Sequence, residues 1–62
     1  MTVRVVSETI EKDGTVSERT LIATFRSEIW ADRFLANEET EVYSFDDPKR
    51  LIWRLVKVGG TW

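Results

Sequence analysis

Asp13-Gly14, set between two runs rich in β-branched residues, is the feature that most narrows what this chain can fold into. Gly14 reaches positive φ at no steric cost and Asp13 tolerates it, so the dipeptide suits a tight two-residue turn and Met1 to Phe25 reads as a β-hairpin. With Asp13 and Gly14 as the loop, Lys12 faces Thr15. Counting outward then sets Thr9 against Glu18, Glu8 against Arg19, Val6 against Leu21 and Val5 against Ile22. That register pairs opposite charges at Glu8 and Arg19 and gathers apolar residues at the open end, as cross-strand neighbours prefer. Along the first strand Val3 and Val5 share one face and Val6 and Ile10 the other, a pattern that demands a bulge near Val5-Val6 or burial on both faces. In the second strand Leu21, Ala23 and Phe25 alternate cleanly with Thr20, Ile22 and Thr24.

Ser27 to about Asn37 has the marks of a helix. Ser27 can accept a backbone hydrogen bond as N-cap, Glu28 suits the first turn, and Asn37 can close the end in a left-handed conformation. Trp30 and Phe34 are four apart, as are Ala31 and Leu35, which makes one apolar stripe expected to pack on the hairpin around Phe25 and Leu21. After a Glu38-Glu39-Thr40 link, Glu41 to Phe45 alternates as a third strand, with Tyr43 and Phe45 on one face.

The last segment supports two readings. As a strand, Leu51, Trp53 and Leu55 share one face, Ile52, Val56 and Val58 line the other, and Asp47-Pro48 is a turn. As a helix, Asp47 is the N-cap, Pro48 the first helical residue and Gly59 the stop. The strand reading is preferred because the segment is rich in residues that suit a pleated surface. The expected fold is therefore α+β: one domain over residues 1–62, ordered ββαββ, with the helix on a largely antiparallel four-stranded sheet. The alternative order is ββαβα. Residues 59–62 read as a flexible tail.

At 62 residues the folded chain buries roughly 60% of the surface that its unfolded state exposes. The core alone then supplies ~3–5 kcal/mol. There is no cysteine and no histidine, so neither a disulfide nor a zinc site is expected. Seven aromatics must carry the core, or self-association must supplement it, and a homodimer would do so. No basic leader precedes an apolar run, and no window reaches the ~18 apolar residues of a membrane span, so a cytoplasmic protein without membrane contact is expected. A chain of this size beginning at Met1 fits the accessory proteins of phages, plasmids and bacterial regulators.

The sequence is poorly equipped for catalysis. Without histidine or cysteine it lacks a side chain that titrates near neutrality and a ready thiolate. None of its serines sits in a nucleophile elbow, and Asp46-Asp47 reads as a solvated turn. No Gly-rich phosphate loop or spaced calcium ligands occur, so neither enzyme activity nor a cofactor is expected.

Charge points instead to binding. Ser27 to Asp47 carries seven acids against Arg33 alone, while Pro48 to Trp62 carries four bases and no acid, although the chain as a whole is only −2. An acidic helix and loop built from Glu28, Asp32, Glu38, Glu39 and Glu41 could dock a basic protein surface, with Arg50, Trp53 and Arg54 as a second patch. This favours a small regulatory or inhibitory protein-interaction module. The alternative is a nucleic-acid binder, using Lys49, Arg50, Arg54 and Lys57 for phosphates and Trp53 and Trp62 for stacking.

Overall fold

The computed structural model describes residues 2–59. Strands β1 (Val3–Ile10) and β2 (Val16–Phe25) precede helix α1 (Glu28–Ala36), followed by β3 (Glu41–Tyr43) and β4 (Leu51–Gly59). The four strands form one sheet in the order β2-β1-β4-β3, with antiparallel pairing throughout. This is the expected ββαββ arrangement. The last segment is a strand because the chain reverses before it. Arg50 N–H donates to the Asp47 carbonyl at 2.9 Å, with Pro48 at the second turn position, and Lys49 N–H donates to Asp47 Oδ1 at 3.1 Å. Pro48 thus sits in a β-turn that its fixed φ favours, and β4 covers the free edge of β1 from Val3 to Thr9. Gly59, expected in the tail, is instead the last residue of β4, opposite Val3, and residues 60–62 lie outside the described residues.

The hairpin departs from expectation at both ends and meets it in the middle. Gly14 N–H donates to the Glu11 carbonyl at 2.9 Å and Glu11 N–H to the Thr15 carbonyl at 2.8 Å, so the loop is three residues, Lys12-Asp13-Gly14, with Gly14 at φ 89°. Asp13 Oδ1 accepts from the Thr15 hydroxyl at 2.6 Å and from its N–H at 3.0 Å, bonds that hold the carboxyl below its ordinary pKa. Ile10 then faces Val16 while Thr9 faces Glu18, and this shift restores the expected pairs Glu8–Arg19 and Val6–Leu21.

A second irregularity sets Val5 against Ala23 in place of Ile22, so the extra residue lies on β2, not on β1. The reason is the helix. Paired residues share a face, and the shift brings Phe25 opposite Val3, beneath α1. The mixed pattern of β1 is resolved by burial on both faces: Val3, Val5 and Val6 are 4%, 0% and 0% exposed.

A nine-residue helix is too short to hold by propensity and depends on its packed side. Ala31 is fully buried against Val3 and Val5, with Phe25, Phe34, Leu35 and Leu55 around them, and the Phe25 and Phe34 ring centroids are 5.4 Å apart. Ser27 caps the start as expected, its hydroxyl accepting from Trp30 N–H at 3.5 Å. Trp30 does not join the core. It is 57% exposed and lies under the Arg33 guanidinium, 5.0 Å from the ring centroid. With Ala31 at the centre of the buried stripe, Trp30 falls about a quarter turn outside it. Leu21, its expected neighbour, pairs with Val6 on the sheet face opposite the helix and is 46% exposed. Asn37 closes α1 without a left-handed turn, at φ −101°, because its side chain donates to the Arg33 carbonyl and its N–H to that of Phe34. β3 stops at Tyr43, leaving Phe45 outside the strand. Among the described residues, no helix is long and apolar enough to cross a membrane.

Candidate functional site

Many of the charges segregated along the sequence meet one another in space. β4 lies beside β1 and β3 and also reaches the helix, so the basic end of the chain runs past acids from three elements. Lys57 Nζ donates to Asp32 Oδ1 at 2.6 Å and to Glu28 Oε1 at 2.9 Å, pinning α1 to β4. The two carboxylates, Asp32 first, push the Lys57 pKa up. Arg54 pairs across the strands with Glu41 and donates through Nε to Glu8 Oε1 at 2.7 Å. Arg19 completes the group from the other side, donating through Nε to Glu8 Oε2 at 2.7 Å.

Glu8 is 1% exposed in β1, one of the two central strands, yet charged. Its strand lies between β2 and β4, and one arginine from each reaches it, their side chains 44% and 41% exposed. The Arg54 hydrogen bond, with help from Arg19, outweighs the cost of burial and holds the Glu8 carboxyl below its ordinary 4.5. Arg19, Glu8, Arg54 and Glu41 therefore form a row of alternating sign across all four strands. The Glu8–Arg19 half was legible from the hairpin register; the Arg54 half required knowing that β4 pairs with β1.

Of the eight residues singled out from sequence, Glu28, Asp32 and Arg54 are thus engaged within the chain, and Glu41 sits opposite Arg54. Arg50 lies apart, in a cleft below the hairpin tip with Thr9, Ile10 and Ile52, where its Nε is enclosed without a hydrogen-bond partner among the described residues. The remaining three come together. Trp53, Glu38 and Glu39 line a groove of about 540 Å³ on the helix side of the sheet, floored by Ile22, Phe34, Val42 and Leu55. It exists because α1 is short and covers only the Val3–Val5 end of this face. Glu38 is held there by its N–H, which donates to the Leu35 carbonyl at 3.2 Å, and the link returns to the sheet where Leu55 N–H donates to the Thr40 carbonyl at 2.8 Å. Neither Glu38 nor Glu39 has an ion-pair partner among the described residues.

Among the described residues, Arg50, Trp53, Arg54 and Lys57 of the nucleic-acid alternative do not assemble on one surface. Strand alternation sends Trp53 and Lys57 to the helix side and Arg54 to the other, while Arg50 occupies its own cleft. Trp62 lies outside the described residues. Ile22 and Val42 were missed as groove residues, since Ile22 enters through a bulge that hairpin counting did not place on β2. Comparison with known proteins returns no matching family, no similar curated protein and no similar solved structure.

Proposed function

We propose that this chain is a small non-enzymatic interaction module that regulates or inhibits a larger protein by occupying one of its surfaces, with the groove beside α1 as the contact. One observation carries the reading: Ile22, Phe34, Val42, Trp53 and Leu55 line an apolar groove together with two carboxylates, Glu38 and Glu39, that no cation of the described chain neutralises. An apolar floor supplies affinity when a partner's side chain displaces water from it, and a tryptophan within it is the residue type most often found at the energetic centre of an interface. Acids at the mouth add little to affinity by themselves. They speed encounter with a basic surface and reject an acidic one. The occupant that fits is an apolar side chain carried on a lysine- and arginine-rich segment.

A pair of designed amphipathic peptides tests this, one alternating leucine with lysine and its twin alternating leucine with glutamate. Titrated into isotopically labelled protein at low salt, the basic peptide is expected to shift the amide signals of Ile22, Val42 and Trp53, and to do so more weakly as salt rises. The acidic twin should leave those signals in place. Reversing both acids, Glu38→Lys with Glu39→Lys, should invert the preference. Equal shifts by both peptides, or shifts that map elsewhere, would remove the basis of the reading.

A further inference from the structure

Phe45 is 99% exposed, the most exposed large apolar side chain of the described residues. A phenylalanine in water forgoes the transfer energy that burial would give, so full exposure on an otherwise ordered loop leaves that energy available to a contact outside the chain. The loop is ordered by its own bonds. Ser44 N–H donates to the Arg50 carbonyl at 2.9 Å, and the Asp47–Arg50 turn with its Lys49 bond to Asp47 Oδ1 closes the far side. A side chain presented this way loses little conformational freedom on docking. Asp46 and Asp47 follow it directly, and neither has an ion-pair partner among the described residues.

We propose that the Phe45 loop is a preformed plug, and that the partner presents an apolar pocket ringed by lysine or arginine. This rests on the interaction-module reading and extends it from the groove that receives to a loop that inserts. The flanking acids decide between occupants. A second copy's groove is apolar and large enough for a phenyl ring, but Glu38 and Glu39 at its mouth would meet Asp46 and Asp47, like against like. A foreign pocket with a cationic rim satisfies both the ring and the acids.

Per-6-amino-β-cyclodextrin, an apolar cavity with an ammonium rim, reproduces that chemistry, and neutral β-cyclodextrin serves as its control. At low salt the cationic host is expected to shift the Phe45 ring signals and the amides of residues 44–50, with at least threefold tighter binding than the neutral host. Phe45→Ala should abolish both interactions without moving the thermal midpoint, because the ring touches nothing it would leave behind. Asp46→Asn with Asp47→Asn should level the two hosts; the side-chain amide oxygen that the second change leaves in place can still accept the Lys49 bond, so the loop persists.

Equal affinity of the hosts in the wild-type chain, or no response at Phe45, overturns the proposal. So does a wild-type dimer in light scattering that Phe45→Ala dissociates, since the occupant would then be a second copy. These readouts lie at residues 44–50, while the leucine–lysine peptide reports at Ile22 and Trp53, so failure of the plug and failure of the groove are seen separately.

Discussion

Glu8, Glu28 and Asp32 each meet a cation of their own chain, whereas Glu38, Glu39, Asp46 and Asp47 meet none among the described residues. All but Glu8 belong to one acidic stretch of sequence, so composition alone does not distinguish them. Position does. The first group lies where strand pairing or helix docking brings β4 or β2 alongside, and its charges are used to hold elements together. The second group lies on connections at the ends of α1 and β3, where none of its carboxylates meets a cation of the described chain. Acids of one stretch thus differ within one small protein, and only the second group is left without a cation among the described residues.

The largest effect is expected at Glu8. Removing one member of a buried ion pair typically costs ~3–5 kcal/mol, but here the arginines left behind are 44% and 41% exposed and can turn into water. Glu8→Ala should therefore cost about 2 kcal/mol. In a domain of this size that lowers the melting midpoint by about 10 °C. Replacing all three charges, Glu8→Leu with Arg19→Leu and Arg54→Leu, should recover much of the loss, because no buried charge is left unpaired, and Glu41, which remains of the row, is exposed to water. A triple variant no more stable than Glu8→Ala would show that the ion pairs themselves, not the avoidance of an orphaned charge, hold this face.

The same site sets an acid limit. The Glu8 carboxyl titrates lower in the folded chain than its ordinary 4.5, so its contribution is fully present above that value and is lost as pH falls through the folded value. Denaturant midpoints measured from pH 7 downward should fall below about pH 4.5, less steeply in Glu8→Gln. Identical slopes for both proteins would place the acid sensitivity elsewhere.

Much of this architecture was legible because it rests on local chemistry. Ser27 caps a helix wherever a helix follows it, and the abundance of Val, Ile and Trp over residues 51–58 made a strand the better reading. What could not be read depends on parts of the chain far apart in sequence. The spacing of Trp30 from Phe34 is correct for a shared buried stripe; Trp30 lies outside because Ala31, the smaller residue, is the one that lets α1 approach the sheet. The Ile22 bulge follows from the need to bring Phe25 under that helix, which hairpin counting alone cannot sense. The acids Glu28 and Asp32 read as free for the same reason: their partner, Lys57, is 25 or more residues away.

A smaller effect is expected at Lys57, which bridges Glu28 and Asp32 at the surface. Lys57→Met keeps the aliphatic stem and removes the charge, so it should lower the melting midpoint by less than Glu8→Ala does, and by less again in high salt. Because the pKa of Lys57 is raised on folding, its contribution is fully present below its ordinary 10.5 and disappears as pH rises through the folded value. An alkaline melting series should show this loss in the wild-type chain and not in Lys57→Met.

The smallest effect on stability belongs to the second group, and it tests the comparison most directly. Glu38→Gln, Glu39→Gln, Asp46→Asn and Asp47→Asn together remove four negative charges, taking the net charge from −2 to +2. Since none of the four is in an ion pair within the described chain, the combined change should leave stability within about 0.5 kcal/mol of the parent. The Asp47→Asn change retains a side-chain oxygen able to accept from Lys49, so the turn before β4 should survive. What should change is binding. The leucine–lysine peptide and the cationic cyclodextrin should both lose their advantage over their acidic and neutral counterparts. A loss of stability comparable to that of Glu8→Ala would mean that these acids are structural after all, and that the division between fold-holding and partner-facing carboxylates has been drawn in the wrong place. Unchanged stability with unchanged host and peptide preference would leave the four acids no role in recognition, and the apolar floor and Phe45 would have to carry it alone.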